Sequence, residues 1–233
     1  NAGGAYFANA DLSSAICTNA DFESTTLDGA NVAGTDFTNA DFSLVHAIGI
    51  VGCPAALPSN WVCLSGMLVG PFAGLNYANL SGVDFSGLNL DSIVLVHANL
   101  TGTVFAGTNL SYARLDHANL TNADMSTATL TRVSASSLAG CPAALPPGWA
   151  CIANTLVGPG ATMEDADFTG VNFAGFDLTG ATFRDCNISD ATFAGANLTG
   201  VDWYYSICPD HEQSYNYISC CSHLIDVPAS CGP

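Results

Sequence analysis

The chain has 233 residues, a formal net charge of −17, and only three basic side chains, which are Arg114, Arg132 and Arg184. Proteins that bind nucleic acids through phosphate contacts, or that bind anionic membranes, need a basic surface, so the charge argues against both classes. Hydrophobic residues make up 49% of the chain, which is enough for a core. No apolar run approaches the roughly 18 residues of a membrane span.

Large apolar residues return at every fifth position from the N-terminus onward. In the first block, residues 5–42, they are Phe7, Leu12, Cys17, Phe22, Leu27, Val32, Phe37 and Phe42. A small residue such as Ala5 or Ala40 lies two positions before most of them, often followed by Asn or Asp. A period of five fits neither a helix nor an extended strand. The pattern predicts a chain that turns a corner every five residues and buries the large and the small side chain.

A connector at residues 43–72 follows the first block and returns at residues 131–160. Its segment GCPAALPSNWVC, Gly52 to Cys63, recurs as GCPAALPPGWAC, Gly140 to Cys151, and LVGP follows both copies. Both halves of the connector repeat at an offset of 88 residues. The connector is therefore part of a larger repeat.

Each connector has a cysteine at both ends of a Pro-rich loop, which predicts a disulfide. The expected pairs are Cys53 with Cys63 and Cys141 with Cys151. A disulfide that closes a loop of this size contributes roughly 3 kcal/mol in the chain-entropy model. Trp61 and Trp149 either fold back onto the solenoid wall or present aromatic contacts to a partner. The sequence leaves both interpretations open.

Two further blocks carry the same period. The second, residues 73–130, runs without interruption from Leu75 to Leu130. The third, residues 161–203, places its large residues at Met163, Phe168, Phe173, Leu178, Phe183, Ile188, Phe193, Leu198 and Trp203. Cys17 and Cys186 fall on inward positions and are expected to be buried thiols.

The tail, residues 204–233, lacks the repeat and is rich in cysteine and tyrosine. Its cysteines are Cys208, Cys220, Cys221 and Cys231. We expect them to form disulfides in a cap over the last coil, with a pairing that the sequence does not define. His211 and His223 give the tail a superficial likeness to a zinc cluster, but the spacing matches no standard zinc pattern. We predict no metal and no cofactor.

The units resemble the pentapeptide-repeat family, whose motif is A-(D/N)-L-x-x. The resemblance implies an all-β fold, a right-handed quadrilateral β-helix with about four pentapeptides per coil. Residues 20 apart would then stack at the usual strand spacing of about 4.8 Å. The ladders expected from this stacking are Phe22 with Phe42, Leu80 with Leu100 and Leu120, Phe85 with Phe105, and Phe173 with Phe193. We expect one solenoid over residues 1–203 with disulfide-closed surface connectors, and a cap over residues 204–233.

Stacking at this period also brings polar side chains together. His97 and His117 should stack on one face with Tyr77. Such a pair could bind a metal or sense pH, but no third ligand is evident, so we interpret it as a surface ladder. Six sequons are glycan acceptor candidates if the protein is secreted by a eukaryote, although A-N-L-(S/T) is also the repeat consensus. They are Asn79, Asn99, Asn109, Asn119, Asn187 and Asn197.

No catalytic motif is present, so we expect no enzyme. The leading hypothesis is an extracellular structural or assembly protein, a subunit of a fibre, sheath or surface layer. The repeat begins almost at the N-terminus, so the first coil should present an unpaired edge that favours head-to-tail association. The partner would be the protein itself, with other extracellular proteins or glycans as further candidates. Ten cysteines favour an oxidising compartment.

Two alternatives come from other functional classes. The acidic rod resembles family members that mimic DNA and bind topoisomerases. An ice- or surface-binding solenoid ranks lower, because only Ser81, Thr101 and Thr121 form a hydroxyl ladder.

Overall fold

Each five-residue unit contributes one bridge to the next coil and one turn. In the computed structural model, which describes residues 2–214 together with Cys220 and Leu224, Asn79 bridges Asn99 in parallel. The N–H of Leu80 donates to the Asn99 oxygen at 2.8 Å, and the N–H of Asn99 donates to Ala78 at 2.9 Å. A turn follows, in which the N–H of Val83 donates to Leu80 at 3.1 Å. Within the repeat blocks, bridge partners are 20 residues apart, so one coil there contains four units.

The coils enclose a narrow core made from the two inward positions of every unit. Leu80, Leu100 and Leu120 are fully buried, and so is the small residue Ala113. Where Thr takes the small position its hydroxyl is satisfied, as in Thr108, which donates to the Phe85 oxygen at 2.7 Å. The prediction from the five-residue period, a large and a small inward side chain, is therefore confirmed for these coils.

Aromatic residues 20 apart meet in the core, as the resemblance implies. The Phe85 and Phe105 rings lie 5.6 Å apart with 28° between their planes, and Phe173 and Phe193 lie 5.0 Å apart with 19°. Phe22 and Phe42 also touch, at 5.8 Å, but their planes are at 80°. They are not stacked because Phe37 packs edge-on against both rings, at 5.3 and 4.9 Å.

Seven short strands accompany the bridges in the described part of the chain, which contains no α-helix. They are β1 Val62–Leu64, β2 Met67–Val69, β3 Ala150–Ile152, β4 Thr155–Val157, β5 Thr162–Glu164, β6 Thr182–Arg184 and β7 Asp202–Tyr204. Strands β1 and β2 pair antiparallel, as do β3 and β4. Strands β5, β6 and β7 form a parallel sheet. Within the described ranges no helix is long and apolar enough to cross a membrane.

The connectors are coils that contain an inserted hairpin. Ser134 bridges Thr162, which is 28 residues away instead of 20. One coil of 28 residues and three of 20 account for the 88-residue offset. The expectation of a surface connector is only partly right, because every residue of β2 and of β4 is buried. The hairpin occupies the space that the coil's own inward side chains would fill, so its second strand must be apolar.

The ladder of bridges is interrupted at each connector. Gly74 N–H donates to Val45 at 2.9 Å and Thr162 N–H donates to Val133 at 2.9 Å, which joins the blocks on one side. The first coil after each connector has three further bridge residues, and their N–H and C=O groups have no hydrogen-bond partner among the described residues. These are Asn79, Asp84 and Asn89 in the second block and Asp167, Asn172 and Asp177 in the third.

Candidate interaction surfaces

The coil formed by residues 5–20 presents an unpaired edge. Its bridge residues Tyr6, Asp11 and Ile16 pair with the second coil, and their own N–H and C=O groups have no partner in the described structure. Two of these residues are large and apolar, with 79% of Tyr6 and 85% of Ile16 exposed. An edge of this kind is a template for pairing with a further strand or coil.

The core is incompletely covered at the same edge. Phe7, Leu12 and Cys17 are only half-buried. The residues 20 positions later are fully buried, at 0% exposure for Leu27, Val32 and Phe37. The difference arises because the later residues have a coil on both sides. A further coil placed on this edge would bury apolar surface and pair backbone groups together.

The connector cysteines are paired in the structure. Cys53 is bonded to Cys63 with Cα atoms 5.8 Å apart, and Cys141 to Cys151 with Cα atoms 6.0 Å apart. These are the pairs expected from the spacing. Each disulfide closes the Pro-rich loop ahead of the hairpin, so it fixes where the buried second strand re-enters the core.

Both connector indoles pack inward over a glycine. A Cβ atom on Gly70 would lie 2.6 Å from Trp61, and one on Gly158 would lie 2.4 Å from Trp149. Trp61 packs against the core clusters of the first and second blocks, and Trp149 against those of the second and third. Sequence reasoning missed the role of the two glycines, because the recurrence of LVGP marks them as part of the connector without showing what they contact.

The tail cysteines lie partly outside the described residues. Cys208 is bonded to Cys220, with Cα atoms 5.2 Å apart, whereas Cys221, Cys231 and His223 are not described. His211 lies near Asp190, with Nε2 3.4 Å from Oδ1. Across residues 2–214, Cys220 and Leu224, no three His, Cys, Asp or Glu side chains are grouped so that they could hold a metal ion.

The two cysteines that are free among the described residues, Cys17 and Cys186, differ in their surroundings. Cys186 is buried, and burial raises the pKa of its thiol to about 11. Cys17 is half-buried at the open edge, and partial burial also raises its pKa. Neither thiol has the lowered pKa of a reactive cysteine.

Tyr77, His97 and His117 form the expected ladder. Their rings lie 4.9 and 4.6 Å apart, with 10° between neighbouring planes. A groove of about 280 Å³ adjoins the two histidines and includes Arg114 and Asp116. The rings face each other in parallel, so their nitrogens do not converge on one point as ligands of a single metal would.

Bridge-position aspartates are turn acceptors. Asp84 accepts hydrogen bonds from the Ser86 hydroxyl and from the Ser86 N–H, and together these hold its pKa below the usual value of 3.8. Hydrogen bonds from the residue two positions later lower the pKa in the same way at Asp11, Asp36, Asp41, Asp124 and Asp167. A general acid at neutral pH needs a raised carboxyl pKa, so these residues are not suited to that role.

The sequon amides are partly used within the ladder. Asn99 Nδ2 donates to Asn79 at 2.9 Å, Asn109 Nδ2 to Asn89 at 2.9 Å, and Asn197 Nδ2 to Thr179 at 2.7 Å. Of the six, Asn79 and Asn197 are exposed, and Asn99, Asn109, Asn119 and Asn187 are half-buried. The hydroxyls of Thr101 and Thr121 donate to Asn99 and Asn119, at 2.6 and 2.7 Å.

The five-residue bridge-and-turn unit, the 20-residue coil and the narrow apolar core define a β-helix solenoid. The family model for pentapeptide repeats matches with eight copies, over residues 5–43, 78–115, 98–134 and 161–202. The chain belongs to the pentapeptide repeat family. The matched ranges omit most of both connectors. No curated protein sequence matches the chain.

Several solved structures are similar to this fold. One is HetL, a pentapeptide repeat protein involved in heterocyst differentiation regulation in the cyanobacterium Nostoc sp. strain PCC 7120, with 23% identity, coverage of 91% of this chain and 90% of that one, and a TM-score of 0.31. A second is a thylakoid-lumen pentapeptide repeat protein of Arabidopsis thaliana, with 21% identity, coverage of 60% and 81%, and a TM-score of 0.19. A third, from the cyanobacterium Cyanothece 51142, has 19% identity, coverage of 77% and 91%, and a TM-score of 0.26. At these identities the likeness concerns the fold alone.

Proposed function

We propose that the protein is a non-enzymatic extracellular structural protein, a subunit of a fibre, sheath or surface layer that associates head-to-tail through the ends of its β-helix. The observation that carries this proposal is the apolar edge of residues 5–20, whose bridge residues have no backbone partner among the described residues. Exposed Tyr6 and Ile16, together with the half-buried Phe7, Leu12 and Cys17, offer both apolar surface and unpaired backbone groups. Heterologous contact of this kind builds open filaments.

The same proposal includes finer features of the fold and its location. The coils are right-handed and four-sided, one solenoid extends over residues 1–203, and residues 204–233 form a Cys-rich cap. The burial of Cys220 and Leu224 in the core cluster of the third block supports the cap. The three disulfides support an oxidising, extracellular setting.

Exposed Asn79 and Asn197 are the proposed glycan acceptors, and intact-mass measurement of the native protein tests that assignment.

The test compares assembly of the native chain with two charge variants. Ile16→Glu places a charge on the proposed contact edge, and Tyr112→Glu is the matched control, since Tyr112 is 54% exposed on the wall of the second block. Sedimentation velocity and electron microscopy over a wide concentration range should show filaments for the native chain and for Tyr112→Glu, but monomers for Ile16→Glu. A native chain that is monomeric throughout, or equal assembly of both variants, contradicts the proposal.

The net charge of −17 favours one alternative, an acidic mimic of DNA that binds a topoisomerase. Carboxylates at the bridge positions, such as the exposed Asp84 and Asp167, support that candidate. A DNA gyrase supercoiling assay separates the two functions, because a DNA mimic inhibits the enzyme whereas a structural subunit does not. Lack of inhibition at micromolar protein removes the alternative.

A further inference from the structure

A shallow groove lies where the second connector meets the third block. Its volume is about 380 Å³, and its lining residues are Gly148, Trp149, Ala150, Ala174, Gly175, Phe176 and Asp177. The volume falls in the range of small-molecule sites. The groove is separate from the unpaired edge at residues 5–20, so ligand binding there is independent of the assembly proposal.

Two aromatic side chains form the apolar part of this groove. Trp149 rests on the backbone of Gly158, where a Cβ atom would come within 2.4 Å of the indole, so that side of the ring is covered. The indole nonetheless lines the groove and stays half-buried. Phe176 is also half-buried and packs edge-on against Phe173 at 6.0 Å. Both rings are therefore fixed in position before any ligand arrives.

Asp177 supplies the polar part of the groove. Its Oδ1 accepts hydrogen bonds from the N–H and the hydroxyl of Thr179, at 3.1 and 2.6 Å, which orients the carboxylate. Its backbone N–H and C=O have no partner among the described residues, because the bridge ladder is interrupted at the connector. One residue thus offers a backbone donor, a backbone acceptor and a carboxylate beside two aromatic rings.

We propose that this groove binds a neutral pyranose sugar. A sugar ring has an apolar face that can pack on an aromatic side chain, and its hydroxyls both donate and accept hydrogen bonds. The carboxylate of Asp177 suits hydroxyl donors, and the net charge of −17 repels uronic acids and sulfated sugars.

An extended peptide fits the groove less well than a sugar. Strand addition requires a row of unpaired N–H and C=O groups along one direction. After Asp177 the chain turns a corner, and Ala181 N–H donates to Leu178 at 2.9 Å. Asp177 therefore provides a single backbone pair on this side of the coil.

The first connector provides a control within the same chain. The 88-residue offset places Leu88 and Asn89 at the positions of Phe176 and Asp177, above the similar arrangement of Trp61 on Gly70. Because the first connector lacks the second aromatic ring and the carboxylate, we expect one sugar site per chain.

The experiment is calorimetric titration of the full chain with maltotriose, cellotriose, chitotriose and trigalacturonate, each up to about 10 mM because weak binding is expected. At least one neutral trisaccharide should bind at one site per chain, and trigalacturonate should not bind. Phe176→Leu and Asp177→Asn, which introduce the residues of the first connector, should each weaken binding by about tenfold or more. Asn89→Ala should leave the affinity unchanged.

Thermal melting of every variant accompanies the titrations. If the Phe176→Leu variant fails to fold, the Asp177→Asn variant provides the test. It is expected to fold, because Asp177 is exposed and asparagine keeps an acceptor oxygen for the turn. Three results overturn the proposal: no neutral trisaccharide binds the native chain, folded Asp177→Asn binds as well as the native chain, or trigalacturonate binds as tightly as the neutral sugars.

Discussion

The repeat is held together at the level of single residues by the polar side chain at each bridge position. Asp84 accepts the Ser86 N–H at 2.9 Å, and Asn99 accepts the Thr101 N–H at 3.2 Å, so both residue types close the same local turn. The sequence predicts this role, because Asn and Asp commonly bond to the backbone two residues on. The lowering of the aspartate pKa values could not be predicted in the same way. It depends on hydrogen bonds from Ser and Thr hydroxyls, and the motif alone does not define their geometry.

Acid should destabilise the fold through these aspartates. Their pKa values are lowered in the folded state, so they contribute stability above the ordinary value of 3.8, and that contribution is lost as the pH falls through the folded values. We expect a constant melting temperature from neutral pH to about pH 5 and a decline below about pH 4, measured by circular dichroism.

Replacing the six shifted aspartates by asparagine provides the matched variant. Asn99 shows that an amide oxygen accepts the same pair of hydrogen bonds, at 3.2 Å from the Thr101 N–H and 2.6 Å from its hydroxyl. The variant should fold at neutral pH and lose less stability in acid. An equally steep acid decline in the variant contradicts this explanation of the acid sensitivity.

At the scale of an element, the connector combines a disulfide, a hairpin and an indole that packs against a glycine. The paired cysteines could be predicted, because the spacing of Cys141 and Cys151 repeats at the first connector. The burial of β4 could not, since a three-residue strand carries no periodicity. The packing of Trp149 against Gly158 could not be predicted either, because a short LVGP segment does not reveal which residues it contacts.

Gly158→Ala should destabilise the protein by about 1–3 kcal/mol, the usual cost of overpacking a core. The added Cβ atom would meet Trp149 at 2.4 Å, and Gly158 has no positive φ, so the cost comes from packing and not from backbone strain. Urea unfolding measures the change. In a Trp149→Leu background the same substitution should cost less than about 1 kcal/mol, and an undiminished cost there would point to another cause.

In the whole molecule, the apolar core is joined across the connectors, while the bridge ladder continues across each connector on one side only. Trp61 and Trp149 each pack against two core clusters. The unpaired bridge residues, among them Asn79 and Asp167, stand above the connectors. The period of five allows the stacking of residues 20 apart to be predicted, but Asn79 and Asn99 share the same local motif, A-N-L-(S/T)-G. Asn79 differs from Asn99 only in that it follows the inserted hairpin of the connector, which leaves its backbone groups unpaired among the described residues.

Removing one 88-residue module should leave a folded protein. Deletion of residues 53–140 joins Gly52 to Cys141 and restores a complete connector, because the sequence returns at that offset. We expect a cooperative thermal transition and an intact Cys141–Cys151 disulfide, measured by calorimetry and by mass spectrometry without reduction. Deletion of residues 53–130 is the control, and it should not fold, because its joint does not preserve the coil register. Equal behaviour of the two deletions contradicts the modular interpretation.

The nearly identical connectors have a consequence for how the gene can change. Where the two coding segments of GCPAALP are similar in nucleotide sequence, misaligned recombination between them removes or adds one module and leaves a complete joint behind. Each such event changes the chain by 88 residues, or four coils. Length in related genes should therefore vary in steps of that size, with the block ends and the tail unchanged.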